Sequence, residues 1–324
     1  MMMVSDKGGR TLELREVPRP QPRPGELLIK VKTAALNRAD ILQLKGAYPT
    51  QSAVGDTIAG LEAAGEVTAV GANVSGFSIG DRVMAMCPAS YAEYAILDHR
   101  LALRVPERLG WEEAATIPVA YMTEHDALIT NAQLQPGQTV LIHAASSGVG
   151  VAGIQIAKLF GARLVFCTGS SQTKFSALKA LGMDIGIDYR TENFGDSVLA
   201  ATNETGVDVV IDHVGGMYLK ENLRCMAIKG RLVSVGRLGQ AVGELDLELL
   251  AFKRLHLIGV TFRTRTIEER IAITQRVRAD ILPALADGRL KPVINRIFPL
   301  EQVLEAQAYM VSNAQTGKIV LKVQ

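Results

Sequence analysis

The residues best placed to do chemistry lie between Thr139 and Lys174, TVLIHAASSGVGVAGIQIAKLFGARLVFCTGSSQTK, where the pattern is strand, small-residue turn, helix and second strand. The apolar run Val140 to Ile142 ends in Ala144, Ala145, Ser146 and Ser147, and a helix with apolar Val151, Ile154, Ile156, Ala157 and Phe160 follows. Small residues in such a turn let backbone N–H groups approach a pyrophosphate, and the helix N-terminus adds partial positive charge. The chemistry implied is dinucleotide binding. A literal G-x-G-x-x-G string exists at Gly148, Gly150 and Gly153, but it starts one helical step late after the strand. Counting from the strand end makes Ala145, Ser147 and Gly150 the three small positions. In that register Gly150 packs the helix against the turn, and Gly153 is a small face toward a neighbouring element.

The second strand, Arg163 to Cys167, has no Asp or Glu at its end to hold both ribose hydroxyls of NAD. Thr168, Gly169, Ser170 and Ser171 follow, then Lys174. Hydroxyls and a nearby ammonium suit a 2′-phosphate, so the expected cofactor is NADPH. Ser170 and Ser171 are also expected to cap a helix from Gln172 to Leu181, which is compatible because both uses draw on one helix N-terminus.

Elements to position this site are visible on both sides of it. The first third reads as a β-rich lobe, with strands at Thr11 to Val17, Leu27 to Lys32, Ala63 to Val70, Arg82 to Met86 and Tyr91 to Ile96 separated by Gly- or Pro-bearing turns. From about Tyr121 apolar strands alternate with helices: Val140 to Ile142, Leu164 to Cys167, Ile185 to Ile187, Val207 to Asp212, Arg231 to Val235 and Leu255 to Val260. Six such strands imply an α/β fold with a doubly wound parallel sheet. A helix from Thr266 to Ala286 and strands at Val293 to Phe298 and Ile319 to Val323 are expected to return to the first lobe.

Composition narrows the function classes. The 324 residues are 48% hydrophobic, enough for a sizeable core and about two domains, and the formal charge is only +2. No long Lys/Arg run exists, and Arg263, Arg265 and Arg270 are too short a cluster to argue for nucleic acid. No apolar stretch approaches a membrane span, and MMMVSDKGGR lacks a signal-peptide core, so a cytoplasmic, soluble protein is expected. Cys87, Cys167 and Cys225 are widely spaced with no C-x-x-C pair and are expected to be buried thiols. His99, His125, His143, His213 and His256 are scattered singles rather than a ligand set.

Nearly end to end, the chain resembles the zeta-crystallin-like, zinc-free quinone oxidoreductases of the medium-chain dehydrogenase/reductase superfamily, most of all the tumour-suppressor-inducible NADPH:quinone reductase type. The segments that carry this are LELREVPRPQPRPGELLIKV, ALNRADILQLKGAYP, GLEAAGEV, GDRVMAM, the SGVG turn and the closing GKIVL. The resemblance implies a GroES-like catalytic domain over residues 1–120, completed by 263–324, and a Rossmann NADPH-binding domain over 121–262. Zinc members of the superfamily carry a Cys where this chain has Asn37 and a His where it has Leu61. No catalytic or structural metal is therefore expected.

The resemblance also assigns roles. Asn37, Tyr48 and Thr123 match positions at the substrate and nicotinamide; Ser147, Gly148, Val149 and Gly150 match the pyrophosphate turn; Ser171, Lys174 and Tyr189, with Ser170 beside them, match the 2′-phosphate and adenine clamp; Gly215, Gly236, Phe262 and Asn313 match the nicotinamide half. Each has an ordinary alternative: Asn37 as a turn residue, Thr123 as a helix cap, Gly215 and Gly236 as turn glycines, Phe262 as core, Asn313 as a helix C-cap. One departure is Glu124 and His125, which follow Thr123 where relatives carry small or apolar residues. A quinone or an enone accepts hydride without strong acid catalysis, whereas a simple ketone needs Zn²⁺ or an acid–base pair. Quinone reduction is the expected activity, with reduction of a 2-alkenal or enoyl thioester as the alternative. A crystallin-like NADPH-binding protein with a structural or RNA-binding role is the reading from another class. A homodimer paired through the apolar strand Leu255 to Val260 is also expected.

Overall fold

The structure is a computed structural model and describes residues 2–5, 12–44 and 57–323. In chain order its first elements are β1 (Met2–Ser5), β2 (Leu12–Arg15), β3 (Glu26–Ala35), α1 (Arg38–Leu44), β4 (Thr57–Ile58), β5 (Glu62–Val70), β6 (Arg82–Met86), β7 (Tyr94–Asp98) and β8 (Leu103–Arg104). Helices α2 (Trp111–Ala115) and α3 (Ile117–His125) follow. The parallel part holds β9 (Thr139–Ile142), α4 (Gly148–Leu159), β10 (Leu164–Gly169), α5 (Gln172–Lys179), β11 (Ile185–Asp188), α6 (Phe194–Ala201), β12 (Val207–Asp212), α7 (Leu219–Cys225), β13 (Met226–Ser234), α8 (Leu247–Lys253) and β14 (His256–Gly259). The chain ends with α9 (Ile267–Asp280), α10 (Leu282–Ala286), β15 (Ile294–Pro299), α11 (Val303–Val311) and β16 (Lys318–Lys322).

Two compact units result, one from Met1–Met122 with Arg263–Gln324, the other from Thr123–Phe262. In the first, a seven-stranded sheet runs β15-β16-β3-β5-β6-β8, with β7 also paired to β3. The closing strand β16 joins antiparallel to β3, Val320 opposite Ala35. This register places Lys318, at the start of β16, beside the turn that follows β3.

In the second unit the order is β11-β10-β9-β12-β13-β14, and every pair is parallel. The order reverses direction between β9 and β12, so the C-terminal ends of those two strands flank the switch point where such sheets bind ligands. An apolar core lies beneath: Leu141, Phe166, Ile187, Val210 and Leu223 pack together with almost no exposure. Burying a side chain such as Phe166 is worth about 2–3 kcal/mol. Among the described residues no helix is long and apolar enough to cross a membrane.

One expectation and one of the ordinary alternatives are corrected. The helix expected over Thr266 to Ala286 is two helices, because Pro283 has no N–H to give a carbonyl four residues back and the chain breaks at Ile281. Thr266 opens the first of them, its hydroxyl accepting from the Glu269 N–H. Thr123 does not cap a helix start. It lies in the last turn of α3, which continues directly into a π-helical turn, Asp126–Asn131, closed by the Ala132 N–H donating to the Ala127 carbonyl at 2.8 Å.

Candidate functional site

The small-residue turn starts where β9 ends. His143 donates its N–H to the Ile211 carbonyl of β12 at 3.1 Å, Ala144 turns the chain through a left-handed φ of 50°, and Ser147 becomes the N-cap of α4. The Ser147 hydroxyl accepts from the Gly150 N–H at 3.1 Å. A Cβ on Gly150 would stand 2.6 Å from the Ala145 carbonyl oxygen, a backbone atom that cannot yield, so only Gly lets the helix sit this close to the turn. The register counted from the strand end is the one that matches this packing. Gly153 is indeed a small face: a Cβ there would meet the Glu124 Oε2 at 2.5 Å. The first-turn N–H groups, at Gly148 and Val149, have no intrahelical acceptor and are what an anion would bind.

Beside that turn, β10 ends at Gly169 and Ser171 stands at the N-cap of α5. Its hydroxyl makes no cap bond, so the expected capping by side chain is not seen. Lys174 lies in the first turn of α5, and partial burial lowers its ammonium from the ordinary lysine range. In register with Gly169 is Asp188, whose carboxylate is already held by Arg190 at 2.7 and 3.0 Å. Tyr189 is half exposed, its ring edge-on to Tyr218 at 6.4 Å. Ser170, Ser171, Lys174 and Tyr189 thus follow neighbouring strand ends.

At the switch point β12 ends in Asp212, whose Oδ1 accepts the N–H groups of Val214 and Gly215 at 2.7 and 3.0 Å. Its carbonyl accepts those of Val235 and Gly236, tying the turn after β13 to the turn after β12. Gly215 adopts φ 92°, and a Cβ on it would press on the Gln240 carbonyl. Phe262 is half-buried just beyond β14. Between the strand ends sits the buried ring of His143, with Nε2 2.7 Å from Asn222 Oδ1 and Nδ1 2.9 Å from Thr168 Oγ1. An amide oxygen only accepts, so Nε2 carries the proton and Nδ1 accepts from the threonine. Burial pulls this imidazole below its ordinary range and keeps it neutral.

The β-rich unit holds a second polar cluster, around Asn37 in the turn between β3 and α1. The Asn37 amide donates to Glu62 Oε1 at 2.9 Å and to the Ala35 carbonyl at 3.3 Å, and its Oδ1 accepts from Lys318 Nζ at 2.8 Å. Lys318 also donates to the Leu36 carbonyl at 2.9 Å and to Glu62 Oε1 at 2.5 Å, using all three of its hydrogens. Glu62 Oε2 accepts the Val119 N–H at 2.7 Å. Asp40 Oδ2 accepts from the Asn37 N–H and from the Tyr91 hydroxyl at 2.9 Å, while Oδ1 is buried without a partner. Burial raises the Asp40 carboxyl to about 7 despite the hydrogen bonds from Asn37 and Tyr91. Asn313, expected as a C-cap, is the left-handed residue one beyond the Ser312 cap of α11, and its Oδ1 accepts from Arg38 at 2.5 Å. Tyr48 lies outside the described residues.

Sequence comparison agrees with this architecture. Residues 23–107 match the alcohol dehydrogenase GroES-like domain, and residues 148–276 match the zinc-binding dehydrogenase domain. The chain is 32% identical over 318 residues to the human quinone oxidoreductase, covering 97% of this chain and 94% of that one. It belongs to the quinone oxidoreductase branch of the medium-chain dehydrogenase/reductase superfamily. As a member of that branch it also matches, at 33% identity over 98% of its own length, a phenolphthiocerol/phthiocerol polyketide synthase of Mycobacterium tuberculosis, of which it spans only 14%. Among solved structures, a mycobacterial protein complexed with NADPH superposes with a TM-score of 0.90 at 27% identity, over 99% of both chains. The CurK enoyl reductase superposes with a TM-score of 0.87 at 27% identity, over 100% of this chain and 99% of that one.

The residues of this quinone oxidoreductase relative do not fit a zinc ion. Asn37 offers an amide whose oxygen is already bound to an ammonium, Leu61 offers no donor, and Lys318 places a positive charge against both Asn37 and Glu62. Among the described residues no group of three or more His, Cys, Asp or Glu side chains has the arrangement to hold a metal. Sequence reasoning missed Glu62, Lys318, Asp40 and Asn222, because each is buried by partners distant in the chain.

Proposed function

We propose that this chain is a metal-independent NADPH:quinone oxidoreductase of the cytoplasm, working as a homodimer. The observation that carries the cofactor choice is the end of β10: a hydroxyl that makes no cap bond at the α5 N-cap, Lys174 in the first turn, and Asp188, in register with Gly169, already held by Arg190. A 2′-phosphate meets donors there rather than a competing anion. NADPH, when bound, supplies the hydride. Ser147, Gly148, Val149 and Gly150 would hold the pyrophosphate, and Gly215 and Gly236, locked by Asp212, would fix the turns near the nicotinamide.

For the acceptor, both hydrogens of the Asn37 amide are committed to Glu62 and Ala35. Asn37 therefore acts by positioning its turn, and the hydroxyl that bonds the acceptor is assigned to Tyr48, with Thr123 at the nicotinamide. An acceptor that takes hydride without Lewis-acid help, a quinone, suits such a site. The likeness to an enoyl reductase supports a second reading, reduction of an activated C=C bond in an enoyl thioester or 2-alkenal. A steady-state NADPH-oxidation screen over quinones, alkenals and enoyl thioesters separates them: turnover confined to the last two classes sinks the quinone reading, and preference for NADH sinks the cofactor reading.

A further inference from the structure

Glu124, His125 and Asp126 are three consecutive polar residues at the junction of α3 and its π-helical turn, and all three are buried. Glu124 is the most constrained. Its side chain has no exposure and neither carboxylate oxygen receives an aligned hydrogen bond. One oxygen lies against Gly153 of α4; the other is 3.0 Å from Nε2 of His213, off the axis of the ring N–H, so the contact is ionic. His213 itself is buried and immediately follows β12. On its main-chain side its carbonyl accepts the Leu238 N–H at 3.1 Å and occupies the space that a Cβ on Gly236 would need.

We propose that the buried Glu124–His213 ion pair is a positioning device for the cofactor, making dinucleotide affinity depend on the charge of His213. This rests on the dinucleotide reading above. The pair joins the two parts of the site that must keep register: α4, whose N-terminus faces the pyrophosphate, and the turn after β12, which the His213 carbonyl ties to Leu238 in the turn after β13. Gly153 gives Glu124 its seat against α4, so the carboxylate stays in place only while a cation faces it. With His213 neutral, a buried carboxylate has no counter-charge, and the relief available is movement of the His213 turn or of α4.

The charge state follows from the groups around the ring. Burial alone lowers the imidazole, but Glu124, by charge and contact, and Asp212 outweigh it and hold His213 above its ordinary value. His143, a further titratable neighbour, is kept neutral by burial. A histidine raised in this way has its pairing fully present below the ordinary histidine range and loses it as pH rises through the raised value.

The experiment is the dissociation constant of NADPH and of NADH, by fluorescence titration from pH 6 to about 9.5, for the wild type and for Glu124→Gln/His213→Gln, with Glu124→Gln alone as a second variant should the double one not fold. The NADH arm removes the 2′-phosphate, which titrates by itself. Affinity of the wild type for both nucleotides is expected to fall about tenfold on the alkaline side, one pH unit of linkage for one proton, and this fall is expected to vanish in the variants. An equal alkaline fall in wild type and variants, or none in the wild type, overturns the inference and leaves the cofactor reading standing. Absence of binding to the wild type at every pH overturns the cofactor reading and this inference with it.

Discussion

Lys318 Nζ lies 2.5 Å from Glu62 Oε1, an ion pair closed to solvent between the start of β16 and the start of β5. Both partners are further tied to Asn37, so a cation supplied by the chain balances the buried carboxylate. Removing one partner of such a pair strands the other. Lys318→Met is expected to destabilise the fold by about 3–5 kcal/mol in urea melts, and exhaustive chelation of the wild type to leave turnover unchanged. A silent Lys318→Met, or chelator-sensitive turnover matched by stoichiometric zinc, contradicts this account.

Asp40 is the opposite case, a buried acid without a cation of its own. Its carboxyl is raised to about 7 in the folded protein, so the favourable contribution of the neutral form is present at acid pH and is lost as pH rises through about 7. A rise of that size corresponds to about 4 kcal/mol at full ionisation. Asp40→Asn is expected to be as stable as or more stable than the wild type at pH 8 and less favoured in comparison at pH 5. Parallel melting curves for the two proteins across that interval would count against it.

The parallel sheet was legible because each of its strands is a short apolar run bounded by turn residues, and β9 to β14 fall within a few residues of the runs from Val140 to Val260. The small-residue turn after β9 was legible for the same reason: its residues are contiguous, and local packing of Gly150 on Ala145 fixes the register. Long-range polar pairing leaves no such trace. Lys318 and Glu62 are 256 positions apart, and Glu124 meets His213 only because α3 ends in a wide turn that buries three consecutive polar residues. Helix boundaries failed where a single residue decides them, as at Pro283.

The proposed preference for NADPH rests on Lys174. Loss of one charged contact to a phosphate costs about 1.5–3 kcal/mol, so Lys174→Ala is expected to weaken NADPH roughly ten- to a hundredfold and leave NADH nearly unaffected. Isothermal titration with both nucleotides decides this, since equal losses would place Lys174 outside the phosphate site.

Tyr48 is the hydroxyl assigned to the acceptor. If it bonds the acceptor as charge develops, Tyr48→Phe lowers the rate of single-turnover hydride transfer while NADPH affinity stays unchanged. A wild-type transfer rate in Tyr48→Phe would reduce the residue to a wall of the pocket.

The edge of the parallel sheet makes the last prediction. Among the described residues, strand β14, with sequence HLIG, pairs only with β13, and it carries neither Pro nor Lys to discourage another strand. Leu257 on it is partly exposed, and the preceding segment presents Val242, Leu247 and Phe252 at 75%, 67% and 73% exposure, an unusual apolar display for a solvated surface. Pairing of β14 with its mate in a second copy would extend the sheet across a two-fold axis and satisfy the free N–H and C=O groups. Wild-type protein is expected to run as a dimer in light scattering at micromolar concentration, and Leu257→Lys, which puts a charge on the edge, to shift it toward monomer. A wild-type monomer would refute the dimer, and a Leu257→Lys dimer of unchanged affinity would move the interface away from this strand.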